Sequence, residues 1–147
     1  MSKYVLDTNI FINADRDLQW AAELERFSSD FLPHIHLSAV VAQEMLAGAI
    51  SPDREKAIRV NYIEPFERKG RLITPTYGAW KRAGQIMARL VNRKLMSPGA
   101  FGRSFVNDCL LAASCRERGA TLITLNTRDF ELIKKVEPVT VVPPWPN

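Results

Sequence analysis

The stretch Tyr4-Val5-Leu6-Asp7-Thr8-Asn9-Ile10-Phe11-Ile12 joins an apolar run of strand length to the start of a helix across one acid, Asp7. Tyr4 to Leu6 reads as a strand and Thr8 to Ala14 as a short helix. The same alternation continues along the chain. Leu18 to Phe27 is an amphipathic helix broken by Ser28-Ser29-Asp30, and His34 to Leu37 is a second strand. Ser38 is placed to cap a helix over Ala39 to Ile50, and Ser51-Pro52 to start another that runs to about Arg68. Gly70 stops that helix before a short strand, Arg71 to Thr74. Pro75 begins the longest helix, which ends near Ser97-Pro98-Gly99, and a loop over Pro98 to Gly102 leads into a helix from Ser104 to Arg118. A strand at Thr121 to Leu125, a short helix through Glu131 to Lys134 and a strand at Val139 to Val142 complete the pattern.

Strands alternating with helices predict an α/β fold: a single domain over residues 1–142 with a mainly parallel, twisted sheet of 4–5 strands and helices on both faces. Pro143-Pro144-Trp145-Pro146 cannot continue a strand, so residues 143–147 read as a proline-rich C-terminal tail. In open sheets of this kind, sites form beyond the carboxyl ends of the strands. Chemistry is therefore to be sought at Asp7, on the helix after Leu37 and at Asn126.

Three acids stand out by their surroundings. Asp7 is the lone charge between Lys3 and Asp15, Glu44 the lone charge from Leu37 to Pro52, and Asp108 precedes the apolar run Cys109-Leu110-Leu111-Ala112-Ala113. A carboxylate in such a setting must be neutralised, strongly hydrogen-bonded or paired with a cation. Each also has a plainer reading: Asp7 as a helix N-cap, Glu44 as a solvent-facing residue, Asp108 as a first-turn helix acid. Taken together they imply a shared cation. Oxygen donors without His or Cys favour Mg²⁺ or Mn²⁺, an ion that can activate water and stabilise charge on a phosphate.

The formal net charge is +4, and its distribution is uneven. Nine of the twenty Lys and Arg residues lie between Arg68 and Asn107, a segment with no Asp or Glu, which leaves eleven bases against sixteen acids elsewhere, or −5. That partition suits a polyanionic partner or a solvated face. On the longest helix Tyr77, Trp80, Gly84, Met87, Val91 and Leu95 share a stripe expected to face the core. Arg82, Arg89 and Arg93 fall on the opposite side, where they suit backbone phosphates, water or a second subunit. An acidic metal site beside an arginine-rich surface suggests phosphodiester hydrolysis.

Other chemistries find no purchase. The chain has no Gly-x-x-x-x-Gly-Lys loop and no Gly-x-Ser-x-Gly elbow; His34-x-His36 supplies two imidazoles but not a zinc site. No apolar run is long enough for a membrane helix, and Met1-Ser2-Lys3-Tyr4 is unlike a signal peptide. Cys109 and Cys115 fit no metal or redox spacing and read as small core residues of a reduced compartment, so a cytoplasmic location without membrane contact is expected.

Four blocks in order resemble the PIN domain: Leu6-Asp7-Thr8-Asn9-Ile10-Phe11-Ile12; Ser38 with Glu44-Met45; Asn107-Asp108-Cys109-Leu110-Leu111-Ala112-Ala113; and Leu122-Ile123-Thr124-Leu125-Asn126-Thr127-Arg128-Asp129-Phe130. The resemblance spans essentially the whole chain and is closest to VapC-like toxins of bacterial toxin–antitoxin systems. It implies Mg²⁺- or Mn²⁺-dependent ribonuclease activity, RNA as substrate, a homodimer and neutralisation by a cognate antitoxin. Asp7, Glu44 and Asp108 match the family's three acidic metal-site positions; Asn126 or Asp129 supplies the fourth. In that reading Asp7 and Asp108 hold the metal, Glu44 orients or deprotonates water, and Asn126 and Asp129 complete the shell. Thr8 and Asn9 are placed to bond a ligand carboxylate or phosphate, and Arg103 and Arg128 to meet substrate. The alternative is a PIN-like module that binds RNA or protein with little or no cleavage, as a neutral Asn126 would permit.

Overall fold

Each short apolar run of the sequence becomes a strand of one parallel sheet. The computed structural model describes residues 2–146. Its strands are β1 (Lys3–Leu6), β2 (Ile35–Ser38), β3 (Leu72–Ile73), β4 (Ala120–Ile123) and β5 (Val141–Val142). They lie in the order β3-β2-β1-β4-β5, and every neighbouring pair is parallel. Val5 sits between His36 on one side and Leu122 on the other. The strand direction in space steps one way from β1 to β3, then returns across β1 to β4 and β5. Right-handed crossovers therefore put α1 (Thr8–Arg16), α2 (Leu18–Phe31), α3 (Ala39–Ala47), α4 (Pro52–Ile58) and α5 (Glu64–Arg68) on one face. The helices α6 (Tyr77–Asn92), α7 (Arg103–Glu117) and α8 (Thr127–Lys134) cover the other. Leu6, Ile35, Leu37, Leu111, Leu122, Ile123 and Phe130 are buried between these layers. The reversal in strand order falls between β1 and β4, so Asp7 and the residues after Ile123 share one crevice.

Several boundaries differ from the expected ones for identifiable reasons. α2 continues through Ser28-Ser29-Asp30 because Phe27 and Phe31, one turn apart, both pack edge-on against Tyr4, while the Ser29 hydroxyl returns to the Glu25 carbonyl. α3 stops at Ala47 rather than Ile50. The helix after Ser51 does reach Arg68, passing through a π turn at Arg59–Ile63 just before Pro65, which has no N–H to offer. α6 ends at Asn92, not near Ser97: Lys94 takes a left-handed φ of 60°, and the N–H groups of Leu95 and Met96 both return to the Leu90 carbonyl. Gly70 and Gly119 close their helices at φ 66° and 64°.

The buried face of α6 is also a correction. Tyr77 is 81% exposed and Trp80 58%, with Gly84 and Leu95 exposed and Met87 and Val91 half-buried; the core takes Ala79, Ala83, Ile86 and Leu90 instead. Small alanines let α6 approach α7 closely, and the bulky aromatics of the neighbouring stripe are left outside. Arg82 is likewise withdrawn from the expected phosphate-binding row. Its guanidinium grips the fully buried Glu137 through Nε at 2.8 Å and through a second nitrogen at 3.0 Å, and Arg116 binds the same carboxylate. This triad ties α6, α7 and the segment after α8 together, satisfying a charge that burial would otherwise penalise. Arg89 is half-buried, and Arg93 donates to the Lys135 carbonyl at 3.0 Å.

Within the C-terminal segment, Trp145 is packed against the domain. Trp145 stacks on Phe27 with ring centroids 5.2 Å apart, and its indole N–H donates to Glu23. Met1 and Asn147, the outermost residues of the expected domain and tail, lie outside the described residues. Both cysteines are buried and free, and burial pushes their thiols up to about 12.

Candidate functional site

At the carboxyl end of β1, Asp7 ends the strand and begins a helix. Its N–H donates to the Ile123 carbonyl, extending the sheet ladder, while its Oδ1 accepts the Thr8 N–H at 2.8 Å as the N-cap of α1. The capping role and the site role thus belong to the same residue. Oδ2 is turned to the crevice, where the Thr124 hydroxyl donates to it at 2.7 Å and the Asn9 amide approaches at 3.4 Å. Asp7 is 4% exposed. Burial raises its carboxyl above the ordinary range and the nearby Glu44 adds to this, against the opposing bonds from Thr124 and Thr8.

Asp108 faces this group from α7 and is also 4% exposed. It is pushed up to about 8, first by burial and then by Asp7, Glu44 and Asp129; the amide of Asn126, donating to its Oδ2 at 3.0 Å, only partly opposes this. Among the described residues neither Asp7 nor Asp108 has a Lys or Arg partner. Glu44 does not point into solvent: α3 packs beside α1, and the Thr8 hydroxyl donates to Glu44 Oε1 at 2.8 Å. Asn126 caps α8 without using its side chain there, and its amide also approaches Asp129 Oδ2 at 3.4 Å. The structure thus brings Asp7, Thr8, Asn9, Glu44, Asp108 and Asn126 around one cleft of about 320 Å³, with Asp129 joined to it through Asn126. Arg103 lines an adjoining pocket with Glu44, and Arg128 lies next to Asp129 on α8.

Thr124 was not among the expected site residues. Fully buried, it donates to Asp7, accepts the Asn126 N–H at 2.9 Å and meets the Asn9 amide at 3.3 Å, so it fixes the two sides of the crevice to each other. Its one signal in the sequence is a hydroxyl in the otherwise apolar run Leu122 to Leu125. Replacing Thr124 by Val is expected to cost about 1–3 kcal/mol, because a buried N–H and a buried carboxylate oxygen lose their partner together. Urea unfolding measures this, and Thr124→Ser should recover most of it.

Among the described residues no three His, Cys, Asp or Glu side chains form a closed cage ready for a metal. The donor set nevertheless fits a hard divalent ion. The acidic donors are all carboxylate oxygens, two of the acids are buried without a basic partner among the described residues, and the raised carboxyls mark a cluster short of positive charge.

The PIN domain family model matches residues 4–136. The chain is 32% identical over 136 residues to the tRNA(fMet)-specific endonuclease VapC of Shigella flexneri, covering 90% of this chain and 93% of that one. Its fold matches the DNA-bound VapBC crystal structure from Salmonella typhimurium with a TM-score of 0.72 at 21% identity, covering 97% and 98% of the two chains. It matches VapBC-1 from nontypeable Haemophilus influenzae at 0.67 and 25% identity, over 95% and 96%. With its model match, its sequence relative and its fold in agreement, the chain belongs to the PIN domain family and within it is VapC-like.

Proposed function

We propose that this protein is a ribonuclease that hydrolyses RNA phosphodiester bonds with Mg²⁺ or Mn²⁺, and that it is the toxin of a toxin–antitoxin pair acting in the cytoplasm. The observation that carries the reading is the pair of buried carboxylates, Asp7 and Asp108, facing one crevice with no basic partner among the described residues. Asp7 and Asp108 would hold the ion, and Asn126 and Asp129 would complete its surroundings. The bound ion would supply a lowered pKa for water and stabilisation of charge on the scissile phosphate.

The chain's own residues do the rest. Thr8 fixes one oxygen of Glu44, leaving the other to orient water and accept its proton. Asn9 accepts the Leu125 N–H at 3.2 Å while its amide reaches Asp7, holding the β4 loop against α1. Arg103 and Arg128, both exposed at the cleft margins, are placed to meet backbone phosphates. Purified protein incubated with RNA is expected to cleave it with Mn²⁺ or Mg²⁺ and to stop when a chelator is added. Binding without cleavage of any RNA, transfer RNA included, would instead favour a non-cleaving module, a reading that the neutral Asn126 supports.

Two surfaces support the proposed partners. The apolar groove lined by Phe11, Ala14, Ala21, Leu24, Tyr62 and Phe66 offers a seat for an apolar segment of an antitoxin. The exposed stripe of Tyr77 and Trp80 on α6 suits a second copy of the chain. Trp80→Asp is expected to shift a dimer toward monomer by at least tenfold in dissociation constant, as read by sedimentation at micromolar concentration. A single monomeric species in the unaltered protein would exclude that interface. No helix of the described residues is long and apolar enough to cross a membrane.

A further inference from the structure

We infer that the large cavity between α8 and the turn after α6 is the seat of one unpaired nucleobase of the RNA, next to the scissile bond. The inference rests on the ribonuclease reading and deepens it. The cavity measures about 600 Å³, well above the size of a single nucleotide, and Asn126 and Asp129 form part of its wall. It therefore adjoins the carboxylate cleft, which Asn126 also lines. A chain held with a phosphate at Asp7 and Asp108 has a neighbouring nucleotide within reach of it.

The lining has the chemistry of a base seat. Met96, Phe105 and Leu132 supply an apolar floor, and the charged lining is balanced, Arg128 and Lys135 against Asp129 and Glu131, so the base rather than the phosphate carries the recognition. Phe105 is backed by Phe101, whose ring is 5.9 Å away and inclined by 25°, so the floor is supported from behind. Met96 is held by the turn that returns its N–H to the Leu90 carbonyl, and the Lys135 carbonyl is gripped by Arg93. These bonds anchor both sides of the opening. A flat, partly apolar base gains from such a floor, whereas a sugar phosphate alone does not. A base still paired in a duplex could not enter, so the seat selects single-stranded or looped RNA.

The test uses the full chain carrying Asp7→Asn and no divalent ion, with the four nucleoside 5′-monophosphates and ribose 5-phosphate titrated separately by calorimetry. At least one nucleotide is expected to bind tenfold or more tightly than ribose 5-phosphate. Met96→Trp in the same background fills the cavity and should abolish that preference. Should Met96→Trp fail to fold, Leu132→Ala, which thins the floor, should reduce the preference at least threefold. Equal affinities for ribose 5-phosphate and all four nucleotides, no measurable nucleotide binding at millimolar concentration, or an unchanged preference in a folded variant would each overturn the assignment. Cleavage is measured separately on the unaltered protein with Mn²⁺. Nucleotide preference without cleavage removes the ribonuclease reading and keeps the seat; cleavage without preference removes the seat alone.

Discussion

Asp108→Asn is expected to melt higher than the unaltered protein at pH 8 without divalent ions, and the gap is expected to close as the pH falls toward 4. In the folded chain Asp108 is pushed up to about 8 from an ordinary value of 3.8. Below pH 3.8 both folded and unfolded chains carry the proton, and burial of this group costs nothing extra. Between 3.8 and 8 the unfolded chain ionises while the folded chain holds the proton, so stability falls as the pH rises. Above 8 the folded group is charged as well and the loss levels off. Asparagine imitates the protonated acid and escapes the whole slope. The difference between the two proteins should reach on the order of 10–20 °C at pH 8, given roughly 5 kcal/mol of linkage and roughly 2–4 °C per kcal/mol for a chain of this size. Titrating groups remote from Asp108, such as the half-buried His36 whose ring burial pushes down, contribute equally to both proteins and cancel. Millimolar Mg²⁺ should reverse the order by stabilising the unaltered protein alone. A gap that does not change with pH would refute the assignment of the strain to Asp108.

RNA cleavage by Asp7→Asn is expected to fall on the order of 10²–10⁴-fold at saturating Mn²⁺, equivalent to roughly 3–5 kcal/mol of transition-state stabilisation. The melting temperature should not fall, because asparagine caps a helix about as well as aspartate and, as at position 108, removes a carboxylate whose pKa burial raises. Initial rates on a labelled RNA, with calorimetric unfolding of the same preparation, separate the two effects. Rates within threefold of the unaltered protein would exclude Asp7 from the chemistry. Asp7→Ala, by contrast, should lose the rate and about 1 kcal/mol of stability together, since the α1 cap goes with the carboxylate.

Those residues were legible because burial was written into their neighbours. Asp7, Glu44 and Asp108 each stand alone in an apolar run, and a lone charge there must find a partner in space. The parallel sheet was equally legible from apolar runs alternating with helical periods. Other features depend on distances that the sequence does not display. Glu137 sits after Lys134 and Lys135 and reads as part of a solvated charge run, yet its partners Arg82 and Arg116 come from 55 and 21 positions away. The buried face of α6 differs from the expected one because helical periodicity marks the stripe through Tyr77 and Trp80, whereas close helix packing selects Ala79 and Ala83. Trp145 follows prolines that end a strand, and only the fold brings Phe27 beneath it.

The double duty of Asp7 bears on how activity can be inferred for divergent copies of such a chain. A copy that has given up cleavage still needs an acceptor at this position to begin α1, so aspartate or asparagine would persist there through decay. Asp108 has no comparable hold. Its carboxylate opposes folding in the metal-free chain, and a lineage freed from catalysis would gain stability by discarding it. An acid at position 108 is therefore the more informative marker of a working enzyme, and an acid at position 7 says mainly that the helix is intact.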